Sequence, residues 1–223
     1  MAEDHLTTPF IARYRSCFRD TWTDETPIND VRFVVVDTET TGLNPQSDRI
    51  ITIGAVAVRN GEILLEDSFE CLLKVTSNTS AVTVHGVTRD ESRKGIEEPA
   101  ALELFLDYLK NGVIVGHHIG HDVATFDAAY QRHWNFQLLN RCIDTLTLTL
   151  HLEKDGALIG RPPIRRVTLD ALCEAFEVVP HDRHTAGGDA FITAQIFLRL
   201  LRFAGKNGRV KLGRLSESFE EED

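Results

Sequence analysis

The chain has 223 residues, of which 42% are hydrophobic and 26% are charged, a composition typical of a folded rather than a disordered protein. No apolar stretch approaches the roughly 20 residues of a membrane span, and the first residues lack the basic and apolar segments of a signal peptide, so we expect a cytoplasmic protein without membrane contact. A formal net charge of -10 argues against a broad basic surface for nucleic acid, but not against a protein that grips a few nucleotides through metal ions.

The chain contains no internal linker rich in Pro, Gly or Ser, so we expect one domain, over residues 31–203. Residues 1–30 are interpreted as an arm lying against this domain, with one or two amphipathic turns. Residues 204–223 form a tail that is first basic and then acidic. We expect the basic residues of the tail to be solvated surface rather than contacts to a phosphate backbone. For three arginines between 161 and 166, a solvated loop and contact with a phosphate backbone are both open.

The first half of the domain contains three extended apolar runs. The run from Val31 to Val36 is almost continuously apolar, as in a strand that is covered on both faces. Two further runs, 50–58 and 63–75, are separated by a segment with Asn60-Gly61, which is a strong signal for a two-residue hairpin. The pattern predicts three strands in meander order.

The second half alternates between helical and extended patterns. Pro99 suits a first helical turn, apolar residues then recur on one face, and Gly112 stands where the helix would stop. Short strands are predicted at 113–116 and 141–144, and further helices at 122–134, 145–153, 169–177 and 188–203. Strands in a hairpin followed by alternating strands and helices predict an α/β fold with a mixed five-stranded sheet flanked by helices.

Acidic side chains stand where three of these buried segments end. Asp37 and Glu39 lie at the end of the first strand, two positions apart, so they share a face. Asp122 follows a short strand and a glycine-containing loop at the start of a helix, and another helix begins near Asp189. His184 lies in the loop before that helix, from which it can point toward the same cleft as Asp189. The sequence therefore offers four carboxylates and one imidazole.

Four carboxylates in one place would repel each other strongly unless cations lie between them. Hard oxygen ligands favour Mg²⁺ or Mn²⁺. Two such ions are the standard device for phosphodiester cleavage, in which one activates the attacking water and the other stabilises the leaving oxygen. Histidine is a common general base for such a step. The pattern therefore predicts two divalent cations and hydrolysis of a phosphodiester.

Three segments resemble the motifs of the DEDD family of 3′-5′ exonucleases in its histidine subclass, which includes the proofreading epsilon subunit of bacterial DNA polymerase III. They are DTETTGL at 37–43, GHHIGHD at 116–122 and HTAGGDA at 184–190. The third has the H-x4-D spacing of the subclass. The resemblance runs from residue 31 to residue 201 and also covers VHGVT at 84–88 and IDTLTL at 143–148.

The resemblance implies a ribonuclease-H-like exonuclease fold. It also implies the removal of nucleoside 5′-monophosphates, one at a time, from the 3′ end of single-stranded or frayed DNA. The residues that would ligate two divalent ions, Mg²⁺ or Mn²⁺, are Asp37, Glu39, Asp122 and Asp189. His184 would deprotonate the water that attacks the terminal phosphodiester.

The resemblance further implies a pocket for the terminal nucleotide, lined by Thr41, Gly42, Leu43 and His85. The second motif departs from many relatives, which read H-N-x-x-F-D. His118 stands at the Asn position and His121 at the Phe position. These changes leave the metal ligands intact, but His121 replaces a phenyl ring that would stack on a nucleobase, a contact that an imidazole can also make.

Three structural alternatives concern single residues of these motifs. Asp127 competes with Asp122 as the acid of the second motif, and the spacing from His117 favours Asp122 and leaves Asp127 on the helix surface. Zinc at the three histidines of GHHIGHD is disfavoured, because neither a cysteine nor an acid-rich segment completes a tetrahedral set and the four cysteines of the chain form no CxxC pair. For Asp144 we favour capping of the helix that starts at Thr145 over a catalytic role.

Two functional alternatives also stay open. RNA is the alternative to DNA as substrate, because the motifs indicate contacts to a phosphodiester and to metal ions, and none of them indicates a contact to the sugar. The second alternative is a DNA polymerase subunit whose main role is docking through the arm or the tail. A missing acid or histidine would favour docking, and none is missing.

Overall fold

The computed structural model describes residues 8–75, 94–159, 168–205 and 210–215. Within them lies a mixed five-stranded sheet with helices on both faces, as predicted. The strands are β1 (Phe33–Thr40), β2 (Ile50–Arg59), β3 (Glu62–Leu72), β4 (Val113–Gly116) and β5 (Cys142–Asp144), in the order β3-β2-β1-β4-β5. The helices are α1 (Pro9–Ser16), α2 (Glu98–Leu109), α3 (Gly120–Trp134), α4 (Thr145–Lys154), α5 (Leu169–Phe176) and α6 (Ala186–Ala204), and a 3-10 turn follows at Leu212–Leu215.

Strand β1 lies at the centre of the sheet and separates two hydrophobic cores. Phe33 and Val35 face one core, which is completed by residues of α4, α5 and α6. Val34 and Val36 face the other, which is completed by α1, α2 and α3. Both faces of β1 are therefore covered, which explains the continuous apolar run in its sequence.

Strand β1 is longer than the sequence predicted. It pairs antiparallel with β2 along its whole length and parallel with β4 only over Phe33, Val34 and Val35. Asp37 and Glu39 consequently lie within the last half of the strand, on one face, as the sequence predicted. Because β4 ends early, this half of β1 has, among the described residues, a strand neighbour on one side only, and side chains of α3 lie on the other side.

The hairpin between β2 and β3 is confirmed, since Asn60 and Gly61 both have positive φ angles, 50° and 76°. Strand β3 ends at Leu72 and not at residue 75. After it, the Leu73 amide still donates to Ile51 O of β2 (2.8 Å), whereas the Lys74 amide donates to Ile96 O (2.8 Å).

The described parts of the arm and the tail lie against the domain. Phe10, Ile11 and Tyr14 of α1 are buried in the core beside α2. The amide of Leu212 in the tail donates to Thr26 O in the arm (2.9 Å). The tail cations that the structure describes form ion pairs, Lys211 with Glu25 and Arg214 with Asp155.

Some of the sequence predictions fall outside the described residues, namely His85, the arginines between 161 and 166, Lys206, Arg209 and the acidic end of the chain. In the part of the chain that is described, no helix has the length and apolar character that a bilayer crossing requires.

Candidate metal centre

Two of the predicted acids project from β1 on the same face. Asp37 is paired with Gly54 of β2, and Glu39 is paired with Thr52. Glu39 is buried, at 7% exposure, and Asp37 is half-buried. The alternation of a strand thus places both carboxylates in one cleft, as the sequence indicated.

The first turn of α6 brings Asp189 to the same place. Thr185 caps this helix, and its side-chain oxygen accepts the amide of Gly188 (3.1 Å). The helix rests directly on the backbone of β2 at Gly54, where an added Cβ would lie 2.2 Å from the carbonyl carbon of Ala186. Asp189 is therefore held against β1, and one carboxylate oxygen from each of the three acids, Asp37, Glu39 and Asp189, lies within 4.8 Å of the others.

Asp122 belongs to the first turn of α3 and is buried beside this trio. Its Oδ1 accepts two hydrogen bonds from Thr38, one from the backbone amide (2.9 Å) and one from the hydroxyl (2.6 Å). It thereby satisfies an amide of β1 that lies beyond the end of β4. The fourth predicted acid is thus adjacent to the group of three but outside the 4.8 Å cluster found among the described residues.

His184 is an exposed residue of the loop before α6 and has a left-handed backbone, with φ of 64°. Its amide donates to Asp189 Oδ2 (3.3 Å), so the predicted base is tied to a predicted metal ligand. The structure therefore brings all five predicted residues to one region.

Two residues of this region were not predicted from the sequence, Gly54 and Arg183. The Arg183 side chain donates to Asp189 Oδ1 and, through Nε, to Asp170 of α5 (2.7 Å). No sequence pattern marks that pairing. Gly54 did carry a signal, because glycine inside a strand often marks the close approach of another backbone.

The electrostatics of the cluster favour a cation. Burial, followed by the charges of Asp122, Asp189 and Glu39, raises the pKa of Asp37 well above its usual range, and the Arg183 guanidinium opposes this. An all-oxygen set of donors with raised pKa values fits a hard divalent cation, which favours the ionised carboxylates.

The pKa values of the two neighbouring acids shift in the same direction. Burial, then the charges of Asp189 and Asp122, raises the pKa of Glu39 from 4.5 to about 7. Burial raises the pKa of Asp122 from 3.8 to about 6, although the hydrogen bonds from Thr38 oppose it.

These raised pKa values predict how the stability of the ion-free protein depends on pH. Glu39 and Asp122 hold their protons more tightly in the folded protein than in the unfolded chain, so stability is greatest below the unfolded pKa values. It is expected to fall as the pH rises from about 5 through about 7. The pKa values of Asp67 and Asp170 are lowered by their arginine partners, so these two acids affect stability only at pH values below this range. Thermal unfolding in chelator across this range measures the effect.

The control for this pH dependence is Glu39→Gln, which is expected to flatten the fall, and saturating Mg²⁺ is expected to reverse it. A stability in chelator that rises over the same range would contradict the account.

The segment predicted to line the nucleotide pocket is a turn organised by Asp48, which the sequence did not single out. Asp48 Oδ1 accepts the Thr41 hydroxyl (2.9 Å), and its Oδ2 accepts the amide of Asn44 (2.8 Å). The carbonyl of Gly42 accepts the Thr40 hydroxyl (2.7 Å). Leu43 is 88% exposed at the tip. The turn thus presents an apolar side chain to solvent from a fixed backbone.

Two open clefts flank this end of β1. One, of about 550 Å³, is lined by Glu39, Thr52, Glu70 and the loop and first turn of α6. The other, of about 730 Å³, is lined by Thr41, Arg49, Lys74 and the start of α2.

His121 lies half-buried next to Asp122, and its charge opposes the rise in the pKa of that acid. Its Nε2 is buried and has no hydrogen-bond partner among the described residues. The stacking role predicted for His121 remains a prediction, as does the contact assigned to His85.

Asp144 was predicted to cap a helix, and it does so. Its Oδ1 accepts the amide of Leu146 (2.8 Å), and its Oδ2 accepts the amide of Ile119 (2.9 Å). It therefore also fixes the loop that leads to Asp122.

Asp127 lies on α3, as predicted, but it is not a fully exposed acid. Asp127 is half-buried and accepts the amide of Leu138 (2.8 Å), which ties α3 to the segment that follows it. Burial raises its pKa. The charge of Asp122 acts on both Asp37 and Glu39, in agreement with the choice of Asp122 for the second motif.

Comparison with known proteins supports the assignment of the motifs. A family model described as "Exonuclease" matches residues 34–197. The DNA polymerase III PolC-type of Thermotoga maritima is 35% identical over 205 residues, which are 87% of this chain and 14% of the polymerase. That of Caldanaerobacter subterraneus subsp. tengcongensis is 36% identical over 173 residues, which are 76% of this chain and 11% of the polymerase. The chain therefore spans no more than 14% of the length of these polymerases.

Solved structures share the fold. E. coli Exonuclease I in complex with a dT13 oligonucleotide has a TM-score of 0.64 at 20% identity, over 77% of this chain and 41% of that chain. Cell-death related nuclease 4 has a TM-score of 0.66 at 16% identity, over 81% of this chain and 66% of that chain. The ribonuclease-H-like exonuclease fold predicted from the motifs is thereby confirmed.

Proposed function

Because the chain belongs to the exonuclease family, we propose that it is a metal-dependent 3′-5′ exonuclease that removes nucleoside 5′-monophosphates from single-stranded or frayed DNA ends. The observation that carries this proposal is the cluster of Asp37, Glu39 and Asp189, whose carboxylate oxygens lie within 4.8 Å of one another. Buried acids at this spacing repel each other unless a cation neutralises them. We propose two ions, Mg²⁺ or Mn²⁺, with Asp122 as a further ligand beside Asp37.

When bound, the ions supply an activated water and stabilise the leaving oxygen of the phosphodiester. His184 accepts the proton of that water at its imidazole, which the exposed loop makes accessible to solvent and substrate. The hydrogen bond from the His184 amide to Asp189 holds the backbone that carries this base beside one of the proposed metal ligands. Asp122 is held by Thr38 and cannot swing away from the cluster without breaking two hydrogen bonds.

The turn at 41–43 gives the site its preference for a chain end. Leu43 is exposed and apolar, and it is suited to pack on the terminal nucleobase. The amino end of α6 adds partial positive charge near the phosphate. With a net charge of -10, the protein grips only the few nucleotides near the ions, so single-stranded ends should be cleaved faster than blunt duplex.

DNA is favoured as the substrate because the relatives cited above are DNA polymerases and Exonuclease I was solved with a DNA oligonucleotide. A DNA polymerase is the partner that this likeness supports. RNA is the alternative substrate, since ions held by these acids would act on the phosphodiester and not on the sugar.

A time course on 5′-labelled DNA and RNA strands of matching sequence tests the proposal, with Mg²⁺, with Mn²⁺ and with chelator. A ladder that shortens from the 3′ end, more quickly on DNA, is expected with either ion and not with chelator. His184→Ala is expected to slow it by about 10²-fold to 10⁴-fold, because the proton loses its acceptor.

Mn²⁺ binding by His184→Ala, measured by calorimetry, is the control, and it is expected to match the wild type. Products shortened from the 5′ end, or an unchanged rate in chelator, would overturn the proposal. Faster shortening of the RNA strand than of the DNA strand would identify RNA as the preferred substrate.

A further inference from the structure

Arg183 joins two acids from different helices. Its guanidinium donates to Asp189 in the cluster and, through Nε, to Asp170 on α5 (2.7 Å). The Arg183 side chain is 20% exposed, whereas Asp189 is 10% exposed and Asp170 is 65% exposed. One end of the bridge therefore lies inside the site and the other is anchored at the protein surface.

The backbone around Arg183 is unfavourable by itself. Asp182 and His184, its two neighbours, both have left-handed conformations, with φ of 53° and 64°. Residues other than glycine rarely adopt this conformation and keep it only where surrounding contacts hold it. The contacts here are the Arg183 bridge, the bond from the His184 amide to Asp189 Oδ2 (3.3 Å) and the bond from the Thr185 hydroxyl to Asp182 O (2.7 Å). The bridge thus contributes to holding the loop that carries His184.

Arg183 also places a permanent positive charge against the cluster, because a guanidinium is not deprotonated in proteins. Without divalent ions this charge offsets the repulsion among the acids, and it lowers the pKa values of Asp37 and Glu39. With divalent ions present, the same charge repels them. Arg183 therefore stabilises the ion-free site and opposes ion binding.

We propose that Arg183 is a resident counter-cation of the carboxylate cluster, which holds Asp189 and the His184 loop in position before divalent ions bind and lowers the affinity of the site for those ions. This inference rests on the proposed metal site. It assigns a positioning role to a residue of the loop that the motif resemblance does not include.

The inference predicts effects of opposite sign in Arg183→Gln. Thermal stability in chelator is expected to fall, while the affinity for Mn²⁺ is expected to rise by about threefold or more, because a repelling charge is gone. A residue with only a structural role would instead weaken stability and ion binding together. Arg183→Lys keeps the positive charge but cannot bridge two carboxylates as a guanidinium does. It is therefore expected to keep the Mn²⁺ affinity and to lose turnover at saturating Mn²⁺.

The control is Arg32→Gln. Arg32 is also 20% exposed and ion-paired, with Asp67, but it precedes β1 at the opposite end from the cluster. This variant is expected to lower stability equally with and without Mn²⁺ and to leave the Mn²⁺ affinity unchanged.

The experiment is calorimetric titration with Mn²⁺, combined with thermal unfolding in chelator and in Mn²⁺. Mn²⁺ affinity of Arg183→Gln that is equal to or below wild type would overturn the inference. If this variant unfolds in chelator, Mn²⁺ is expected to restore the fold, and failure to do so would also contradict the inference. Absence of Mn²⁺ binding by the wild type would refute the proposed metal site itself, which is a distinguishable result.

Discussion

Asp37→Asn is expected to lower the exonuclease rate by on the order of 10³-fold or more, since it removes a central ligand of ions that contribute several kcal/mol to the transition state. The same change is expected to raise the melting temperature in chelator at alkaline pH. Burial and three neighbouring acids raise the pKa of Asp37, so its ionised form destabilises the ion-free fold. Rates on labelled DNA and unfolding curves with and without Mn²⁺ measure both effects.

Asp127→Asn is the matched control for Asp37→Asn. Asp127 is a half-buried acid whose pKa is also raised, but it lies outside the cluster, and an amide oxygen can still accept the Leu138 amide. It is expected to leave the rate near wild type. Activity of Asp37→Asn within tenfold of wild type, or a stronger loss in Asp127→Asn, would show that the catalytic acids are wrongly assigned.

Gly54→Ala is expected to lower the rate by about 10²-fold without changing any ligand, because a shift of about 1 Å in a catalytic group has such an effect. The new Cβ would lie 2.2 Å from the carbonyl carbon of Ala186 and 2.3 Å from the amide nitrogen of Gly187, both backbone atoms. The first turn of α6 must move away from β2 and carry Asp189 with it. The strain is expected to destabilise the fold by roughly 1–3 kcal/mol.

Gly120→Ala is the control for Gly54→Ala. Gly120 begins α3, only two residues before Asp122, and an added Cβ there meets no atom of the described residues within 4 Å. It is expected to leave stability unchanged or slightly higher, because alanine favours the helix. Rate and unfolding are measured on both variants, and a Gly54→Ala protein with wild-type rate would show that α6 does not need this contact.

The part of the site that is local in sequence could be predicted. Strand alternation places Asp37 and Glu39 on one face, the Asn60-Gly61 turn sets the register of β2 and β3, and Asp144 caps α4 as its position suggested. In each case a short-range rule of backbone geometry decides the outcome.

The part that depends on tertiary approach could not be predicted. The Arg183 bridge joins residues of two helices and a loop, and nothing in the sequence marks Asp170 as the second partner of an arginine that binds the motif acid Asp189. The hydrogen bond from the Leu138 amide to Asp127 was missed for the same reason, because it forms only where the chain that follows α3 returns along the helix. The extension of β1 beyond Val36 follows from pairing with β2, which overrides the polar composition of its second half.

The most direct test is a crystal structure of the protein grown with Mn²⁺ and a nucleoside 5′-monophosphate, with anomalous scattering recorded at the manganese edge. A peak bonded to carboxylate oxygens of Asp37, Glu39 and Asp189 is expected, together with a second peak between Asp37 and Asp122. A map with the nucleotide bound and no anomalous peak among these acids would contradict the account.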